Sequence, residues 1–148
     1  MSVLDFTLDL VPPEITAQHK GVSVRGGRAI VFTKQAIKDL ERTYCTALAP
    51  HRPAHALSGP LRATITFTFP WRAAEPAKNK AWGWYPRDTK PDADNVVKLF
   101  ADCLGIVGFF TRGDEQLASL TILKGWGDRP GIRVRLSRWD LTTNPLTA

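Results

Sequence analysis

The chain is organised around one stretch, KPDADNVVK at residues 90–98, which continues through Asp102 to GDEQ at residues 113–116. At about 100° per residue, a helix over residues 93–104 carries Asp94, Lys98 and Asp102 along one side. The other side carries apolar residues, namely Val96, Leu99, Phe100, Cys103 and Leu104. The pattern therefore predicts a helix that packs with one face and leaves its charged face free for chemistry.

Three carboxylates lie near the ends of this predicted helix in the sequence. Asp92 and Asp94 stand where an extended segment becomes helical, because Pro91 disfavours helical conformation in the residue before it. Asp114 follows an apolar run at residues 106–110 and a glycine turn, so we expect it to open a strand that returns beside the helix. The three carboxylates would then meet in one place and offer the hard oxygen ligands that Mg²⁺ prefers.

A site of this type can hold one or two ions, bind a phosphodiester and activate a water for attack. Lys98, one turn after Asp94, could neutralise charge on the phosphate or on the leaving oxygen. A simpler reading stays open, in which Asp92 caps the helix and Asp94 is a first-turn acid. In that reading Asp94 and Lys98 form an exposed i,i+4 pair worth about 0.3–0.5 kcal/mol, and Asp114 lies in an ordinary turn.

The combination of these residues, in this order and spacing, resembles the RusA family of Holliday junction resolvases, small endonucleases of bacteria and their phages. The family pattern is Asp-x-Asp-Asn, a lysine four residues after the second Asp, an Asp one turn later, an apolar segment and Asp-x-Gln. The matching positions are Asp92-Ala93-Asp94-Asn95, Lys98, Asp102 and Asp114-Glu115-Gln116. The match is close over residues 88–124 and elsewhere extends to the order of elements.

The resemblance implies that Asp92, Asp94 and Asp114 are catalytic residues that bind the metal and that Lys98 is the catalytic lysine. It implies Mg²⁺ as the cofactor, and a structural or supporting role for Asp102. Many relatives carry a pair of acids before the Asp-x-Gln step, whereas Gly113 precedes Asp114 here. Whether Glu115 replaces the acid missing at Gly113 stays open.

Length and charge set the class of protein. A chain of 148 residues with 43% hydrophobic content predicts one globular domain over residues 1–148. Its 20 Lys and Arg against 14 Asp and Glu give a net charge of +6, which suits a polyanionic partner. No apolar run reaches the roughly 18 residues of a membrane helix, and the first ten residues lack the features of a signal peptide. We therefore expect a cytoplasmic protein, bacterial or phage-encoded.

The remaining pattern predicts the fold. Strand-forming stretches occur at residues 3–10, 61–69, 117–123 and 131–137, and a second helix at 34–48 follows Thr33 as its cap. This order predicts an α/β (α+β) domain with a mixed sheet of about four strands and two main helices, RusA-like, ending in a loose tail from residue 140. Cys45 and Cys103 fall in the helices, and each is expected to be a buried free thiol.

Two segments are candidates for DNA contact. The early basic stretch at residues 14–29, read as a mobile loop or irregular hairpin, contributes Arg25 and Arg28. The connection at residues 70–91 mixes aromatic and basic side chains, and its candidates are Lys78, Lys80, Trp82, Trp84, Arg87 and Lys90. Such a mixture suits phosphate contacts and base stacking. The alternatives are a solvated loop and tryptophans that fold the connection onto the core.

The resemblance implies a Mg²⁺-dependent endodeoxyribonuclease that resolves four-way DNA junctions by paired phosphodiester hydrolysis during recombination and repair, and the acidic cluster and basic charge are consistent with it. A four-way junction has two-fold symmetry, so a homodimer is expected. Two alternatives stay open: a Mg²⁺-dependent nuclease of looser specificity, and a non-catalytic module that binds branched DNA.

Overall fold

The structure, a computed structural model, describes residues 3–14, 24–25, 28–29, 32–142 and 144–147. For residues 24–25, 28–29 and 32–33 it describes the backbone alone. The strands are β1 (Leu4–Leu8), β2 (Val24–Arg25), β3 (Arg28–Ala29), β4 (Leu61–Pro70), β5 (Trp84–Pro86), β6 (Leu117–Gly127) and β7 (Gly131–Arg138). The helices are α1 (Phe32–Leu48), α2 (Ala77–Lys80) and α3 (Ala93–Val107), with 3₁₀ turns at Ala49–His51 and Asp114–Gln116.

Five strands form a mixed sheet in the order β1-β7-β4-β6-β5. β6 runs parallel to β4, and the other neighbouring pairs are antiparallel. The predicted α+β class is confirmed, as are the four predicted strands, now β1, β4, β6 and β7. The sheet exceeds the prediction by the short β5, while β2 and β3 form a separate two-residue hairpin.

The core lies between the sheet and the two long helices. Alternate residues of β4 are buried against the helices, at Leu61, Ala63, Ile65, Phe67 and Phe69. Phe100 of α3 is fully buried and meets Tyr44 of α1 and Phe67 of β4 edge to face, with ring centroids 5.1 and 5.8 Å apart. The predicted division of α3 into an apolar face and an exposed charged face is confirmed.

Three boundaries correct the sequence prediction. α1 begins at Phe32, so Thr33 lies inside the helix and does not precede it as a cap. Asp114 forms a 3₁₀ turn, and the strand that follows opens at Leu117. α3 continues past residue 104 to Val107 and ends at Gly108, whose φ of 105° is the left-handed conformation that glycine adopts readily.

The 70–91 connection contains elements that its sequence does not reveal. α2 and β5 both lie in it, and β5 pairs with the last residues of β6. This pairing depends on Gly125, because a Cβ there would lie 2.4 Å from the indole ring of Trp84. β5 has only three residues and depends on a glycine distant in sequence, so no alternating pattern in its own sequence predicts it.

Both cysteines are free thiols in helices, and Cys103 is buried as predicted. The prediction of burial is wrong for Cys45, which is only partly buried. Described residues beyond Arg138 form neither helix nor strand. None of the described helices is long and apolar enough to span a membrane.

Candidate functional site

The N-terminal end of α3 exposes the charged residues of the central stretch. The carbonyl of Asp92 accepts hydrogen bonds from the backbone N–H groups of Asn95 (3.1 Å) and Val96 (3.0 Å), which starts the helix. The carboxylate of Asp92 makes no capping hydrogen bond and instead pairs with the Lys90 ammonium at 2.8 Å. Asp94 and Lys98 are exposed on the next two turns. Three charged side chains therefore share one open end of the helix.

Neighbouring cations keep Asp92 ionised. The hydrogen bond from Lys90 is the largest cause that lowers the pKa of this carboxyl below its ordinary value. The charges of Lys90 and Lys124 lower the pKa further, whereas desolvation opposes them. Asp92 therefore offers an anionic oxygen at neutral pH.

Two cations hold the backbone that leads into α3. Lys124 of β6 donates from Nζ to the carbonyls of Thr89 and of Pro91, the latter at 2.6 Å. Arg87 donates to the carbonyl of Lys90 between them. Desolvation is the largest cause that lowers the pKa of Lys124, and the charge of Arg87 adds to it. Three consecutive carbonyls are thus satisfied by two side chains, which fixes the direction in which the chain enters α3.

Arg87 is engaged within the protein. Its side chain is only 10% exposed, and its guanidinium binds both carboxylate oxygens of Glu14 at 3.0 and 2.9 Å. The guanidinium also lies 4.4 Å from the centre of the Phe69 ring. In this structure Arg87, predicted to contact DNA, holds the 87–91 segment against the sheet.

Trp82 and Trp84 have different environments. Trp84 is half-buried, lies over Gly125 and donates its indole N–H to the hydroxyl of Thr68 at 3.0 Å. Trp82 is 80% exposed at the end of α2. Only Trp82 of the two presents an aromatic face to solvent.

The remaining DNA-contact candidates are basic. Lys78 and Lys80 are exposed on α2, and Lys90 is exposed while paired with Asp92. Arg25 and Arg28 pair with each other in the β2–β3 hairpin, but their side chains lie outside what the structure describes.

Asp114 lies at the other end of α3. A Cβ on Gly105 would sit 4.0 Å from the backbone nitrogen of Asp114, and both residues line a hollow with Asp102. Gly105 follows Asp94 by eleven residues, which at about 1.5 Å per residue corresponds to about 16 Å along the helix axis.

The sheet shows independently that the two ends are well separated. Lys124, which interacts electrostatically with Asp92, lies seven residues beyond the start of β6 at Leu117, or about 23 Å at about 3.3 Å per residue. Within one chain the structure therefore brings Asp92 and Asp94 together and keeps Asp114 apart from them. Accordingly, no group of three or more Asp, Glu, His or Cys side chains in the described part of the chain is arranged to hold a metal ion.

Gln116 has a positioning role that its place in the motif does not reveal. Its side chain is buried, accepts hydrogen bonds from the Arg112 backbone N–H (2.6 Å) and the Thr111 hydroxyl (3.2 Å), and donates to the carbonyls of Leu57 and Gly59 at 3.0 Å each. It therefore ties the turn that carries Asp114 to the loop before β4. Asn95 differs, since its buried Oδ1 has no hydrogen-bond partner among the described residues.

Substitution of Lys90 by Met should raise the pKa of Asp92. The change removes the hydrogen bond that is the largest cause of the lowering. A lowered folded-state pKa stabilises the protein above the unfolded-state pKa, and this stabilisation is lost as pH falls through the folded-state pKa. Lys90→Met should therefore weaken the acid-side dependence of stability. The measurement is an NMR titration of the Asp92 carboxyl, with Lys78→Met as the control, and an unchanged Asp92 midpoint in Lys90→Met would contradict the assignment.

Substitution of Gln116 by Ala should lower the free energy of unfolding by about 2–3 kcal/mol, because it leaves buried backbone groups without partners. The adjacent exposed residue supplies the control, since Glu115→Ala should change the free energy by no more than about 0.5 kcal/mol. Urea unfolding of both variants tests this. Equal stabilities would mean that the Gln116 hydrogen bonds do not hold the turn.

The chain matches a protein-family model. The family model described as Endodeoxyribonuclease RusA matches residues 11–137, nearly the whole chain. No individual curated protein matches the sequence. The matched range contains α3, both of its ends and the segments that hold them.

Proposed function

Because this chain belongs to the RusA endodeoxyribonuclease family, we propose that it resolves four-way DNA junctions by hydrolysing two phosphodiester bonds with the help of Mg²⁺. Family membership makes the chain an endodeoxyribonuclease. The branched substrate, the cation and the acting residues are the proposed part. The observation that carries them is the open N-terminal end of α3, where Asp92, Asp94 and Lys98 are exposed together.

The donor chemistry at this end suits a hard cation. Asp92 and Asp94 present carboxylate oxygens, the ligands that Mg²⁺ prefers. Their position at the start of α3 adds the positive end of the helix dipole, which favours anionic groups and bound phosphate. Asp114, which lies about 16 Å from Asp94 along α3 within one chain, would be the third carboxylate ligand when the partner subunit of the proposed homodimer supplies it. A divalent ion held by these residues would polarise the phosphodiester and lower the pKa of a bound water.

Lys98 would act on the substrate directly. Its ammonium lies one helical turn beyond Asp94 on the exposed face, where it can stabilise the negative charge that develops on the phosphate oxygens. Lys90 is 84% exposed beside Asp92 and can contact a neighbouring phosphate of the same strand. Arg87 and Lys124 would keep Asp92 in place by holding the preceding backbone.

Contact with the junction arms would use the exposed residues of the 70–91 connection. Lys78 and Lys80 can bind the phosphate backbone, and the exposed ring of Trp82 can stack on an unpaired base. Arg25 and Arg28 stay candidates for further phosphate contact. Trp84 would act indirectly, by fixing β5 to the sheet.

The two nicks of junction resolution are related by a dyad, so we propose that the enzyme works as a homodimer. Its substrate assigns it to the DNA-containing compartment, which is the cytoplasm of a bacterium for a bacterial or phage-encoded protein.

Cleavage of a labelled four-way junction, compared with a linear duplex of the same sequence at the same salt, tests this function. Wild-type protein with Mg²⁺ should give paired, symmetric nicks in the junction alone, and EDTA should abolish them. Asp94→Asn should reduce the rate by more than about 100-fold, the upper range for loss of an outer-shell partner. Asp9→Asn is the matched control, because it neutralises an exposed carboxylate just after β1, outside the proposed site.

Equal cleavage of duplex and junction would replace the resolvase with a less specific nuclease. Junction binding without cleavage by the wild type would contradict the proposed chemistry. A rate for Asp94→Asn equal to that of Asp9→Asn would remove Asp94 from the site.

A further inference from the structure

Three arginines share one face of the sheet. Both long helices pack against the face that carries Phe67. The alternate residues of β4 and β7 that point the other way include Arg62, Arg133 and Arg135. The side chains of Arg133 and Arg135 are 53% and 55% exposed. We call this surface, which is opposite to the helices, the arginine face.

Arg62 and Arg135 line one hollow on the arginine face, with a volume of about 240 Å³. In the antiparallel register Arg62 lies opposite Ser137, two residues from Arg135 on β7. Diagonal neighbours of this kind lie about 7–8 Å apart, within reach of long side chains. The other residues that line the hollow are Val3, Thr64, Leu136 and Ser137. Two guanidinium groups and two hydroxyl groups at one hollow suit a phosphate group.

One carboxylate faces these arginines, and Arg133 occupies it. The carboxylate of Asp5 accepts hydrogen bonds from Arg133 Nε at 3.1 Å and from Nη2 at 2.9 Å. Arg135 Nε is 3.6 Å from the same carboxylate, beyond hydrogen-bond distance. Among the residues that the paired strands place on this face, three arginines against one aspartate leave an excess of two positive charges.

Trp139 orients Arg62. The guanidinium of Arg62 lies 4.9 Å from the centre of the Trp139 ring. The ring is held in turn, because the backbone N–H of Trp139 donates to the carbonyl of Pro60 at 2.9 Å. A guanidinium that stacks on an aromatic ring keeps its N–H groups in its own plane, where they can bind an anion edge-on.

The arginine face and the proposed active site lie on opposite sides of the sheet. Lys124, which holds the backbone before Asp92, is in parallel register with Phe67 and therefore shares the face covered by the helices. A phosphate bound by Arg62 and Arg135 would thus belong to a different part of the DNA from the phosphodiester at the start of α3. A four-way junction, with its four arms, offers such a part.

We propose that the arginine face is a second DNA-binding site, in which the hollow between Arg62 and Arg135 takes a backbone phosphate of a duplex arm, away from the bond that is cut. The inference rests on the proposed function for the branched DNA. A chain of phosphates fits better than a single anion, because positive charge continues to Arg133, about 7 Å from Arg135 along β7. Phosphate contacts carry no sequence information, so the site would hold an arm without reading its bases.

Removal of charge tests the site by binding alone. The affinity for a labelled four-way junction is measured by fluorescence anisotropy in EDTA over a range of salt concentrations. Arg135→Gln should weaken binding by about tenfold and reduce the salt slope by about one. Arg42→Gln is the control, because Arg42 is 74% exposed on α1 and also pairs with one aspartate. Equal losses in the two variants would overturn the site.

A variant that gains affinity separates DNA binding from stability. Asp5→Asn removes the carboxylate that holds Arg133, so it should tighten junction binding and raise the salt slope. Asp39→Asn is the control, because it changes the net charge equally at the Asp39–Arg42 pair of α1. No gain in Asp5→Asn, or an equal gain in both variants, would contradict the proposal.

Three probes identify the occupant of the hollow. A linear duplex with the sequence of one arm, inorganic phosphate and polyglutamate are each titrated into wild-type protein at the same ionic strength. The NMR signals of the Nε–H groups of Arg62 and Arg135 should shift with the duplex at concentrations where the other two probes have no effect. Equal shifts with inorganic phosphate would make the hollow a site for small anions. Equal shifts with polyglutamate would indicate an acidic protein partner, and either result overturns the DNA assignment.

The inference and the proposed function fail differently. If Arg135→Gln and Asp5→Asn change junction binding as expected but wild-type protein does not cut junctions, the proposed function fails and the arginine face stands. If wild-type protein cuts junctions while both variants match their controls, the arginine face is overturned and the function stands.

Discussion

Two buried or half-buried cations determine how the chain enters α3. Lys124 and Arg87 satisfy the consecutive carbonyls of residues 89–91, and Arg87 is held in turn by Glu14 and by the ring of Phe69. Without these donors the three carbonyls would need solvent, and the segment would have no fixed path across the sheet. The exposed positions of Asp92, Asp94 and Lys98 follow from this path. The site therefore depends on a polar network beneath it as much as on the carboxylates themselves.

The same arrangement makes α3 a rigid element that separates Asp92 and Asp94 from Asp114. Phe100, packed between Tyr44 and Phe67, fixes the middle of the helix. Its N-terminal end carries one acidic pair, and its C-terminal end lies beside Asp114, whose turn is tied down by Gln116. Because the helix and the hydrogen bonds at its two ends fix these positions, the separation is a property of the fold and does not depend on loop conformation. Within one chain the three carboxylates therefore stay apart.

Much of this architecture could be predicted from the sequence. Alternation in residues 61–69 and 131–137 gave β4 and β7, and helical spacing gave both faces of α3, because these patterns record which side is buried. β5 could not be predicted, since its three residues pair only where Gly125 leaves room for Trp84. The role of Arg87 was equally hidden, because the sequence of a basic segment does not show whether an arginine in it contacts DNA or a glutamate of its own chain. The order of acids identified two groups of candidate carboxylates, but it does not show whether the helix between the groups brings them together or keeps them apart.

The central claim is that Asp92 and Asp94 at the start of α3 bind a divalent ion that acts on DNA, with Asp114 supplied by the partner subunit. Crystals of the protein grown with Mn²⁺ test it most directly, because Mn²⁺ takes the same oxygen ligands as Mg²⁺ and is located by its anomalous scattering. We expect an anomalous peak in contact with Asp92 and Asp94 of one subunit and with Asp114 of the partner subunit. A fully occupied Mn²⁺ site elsewhere, with no peak at Asp92 and Asp94, would contradict the account.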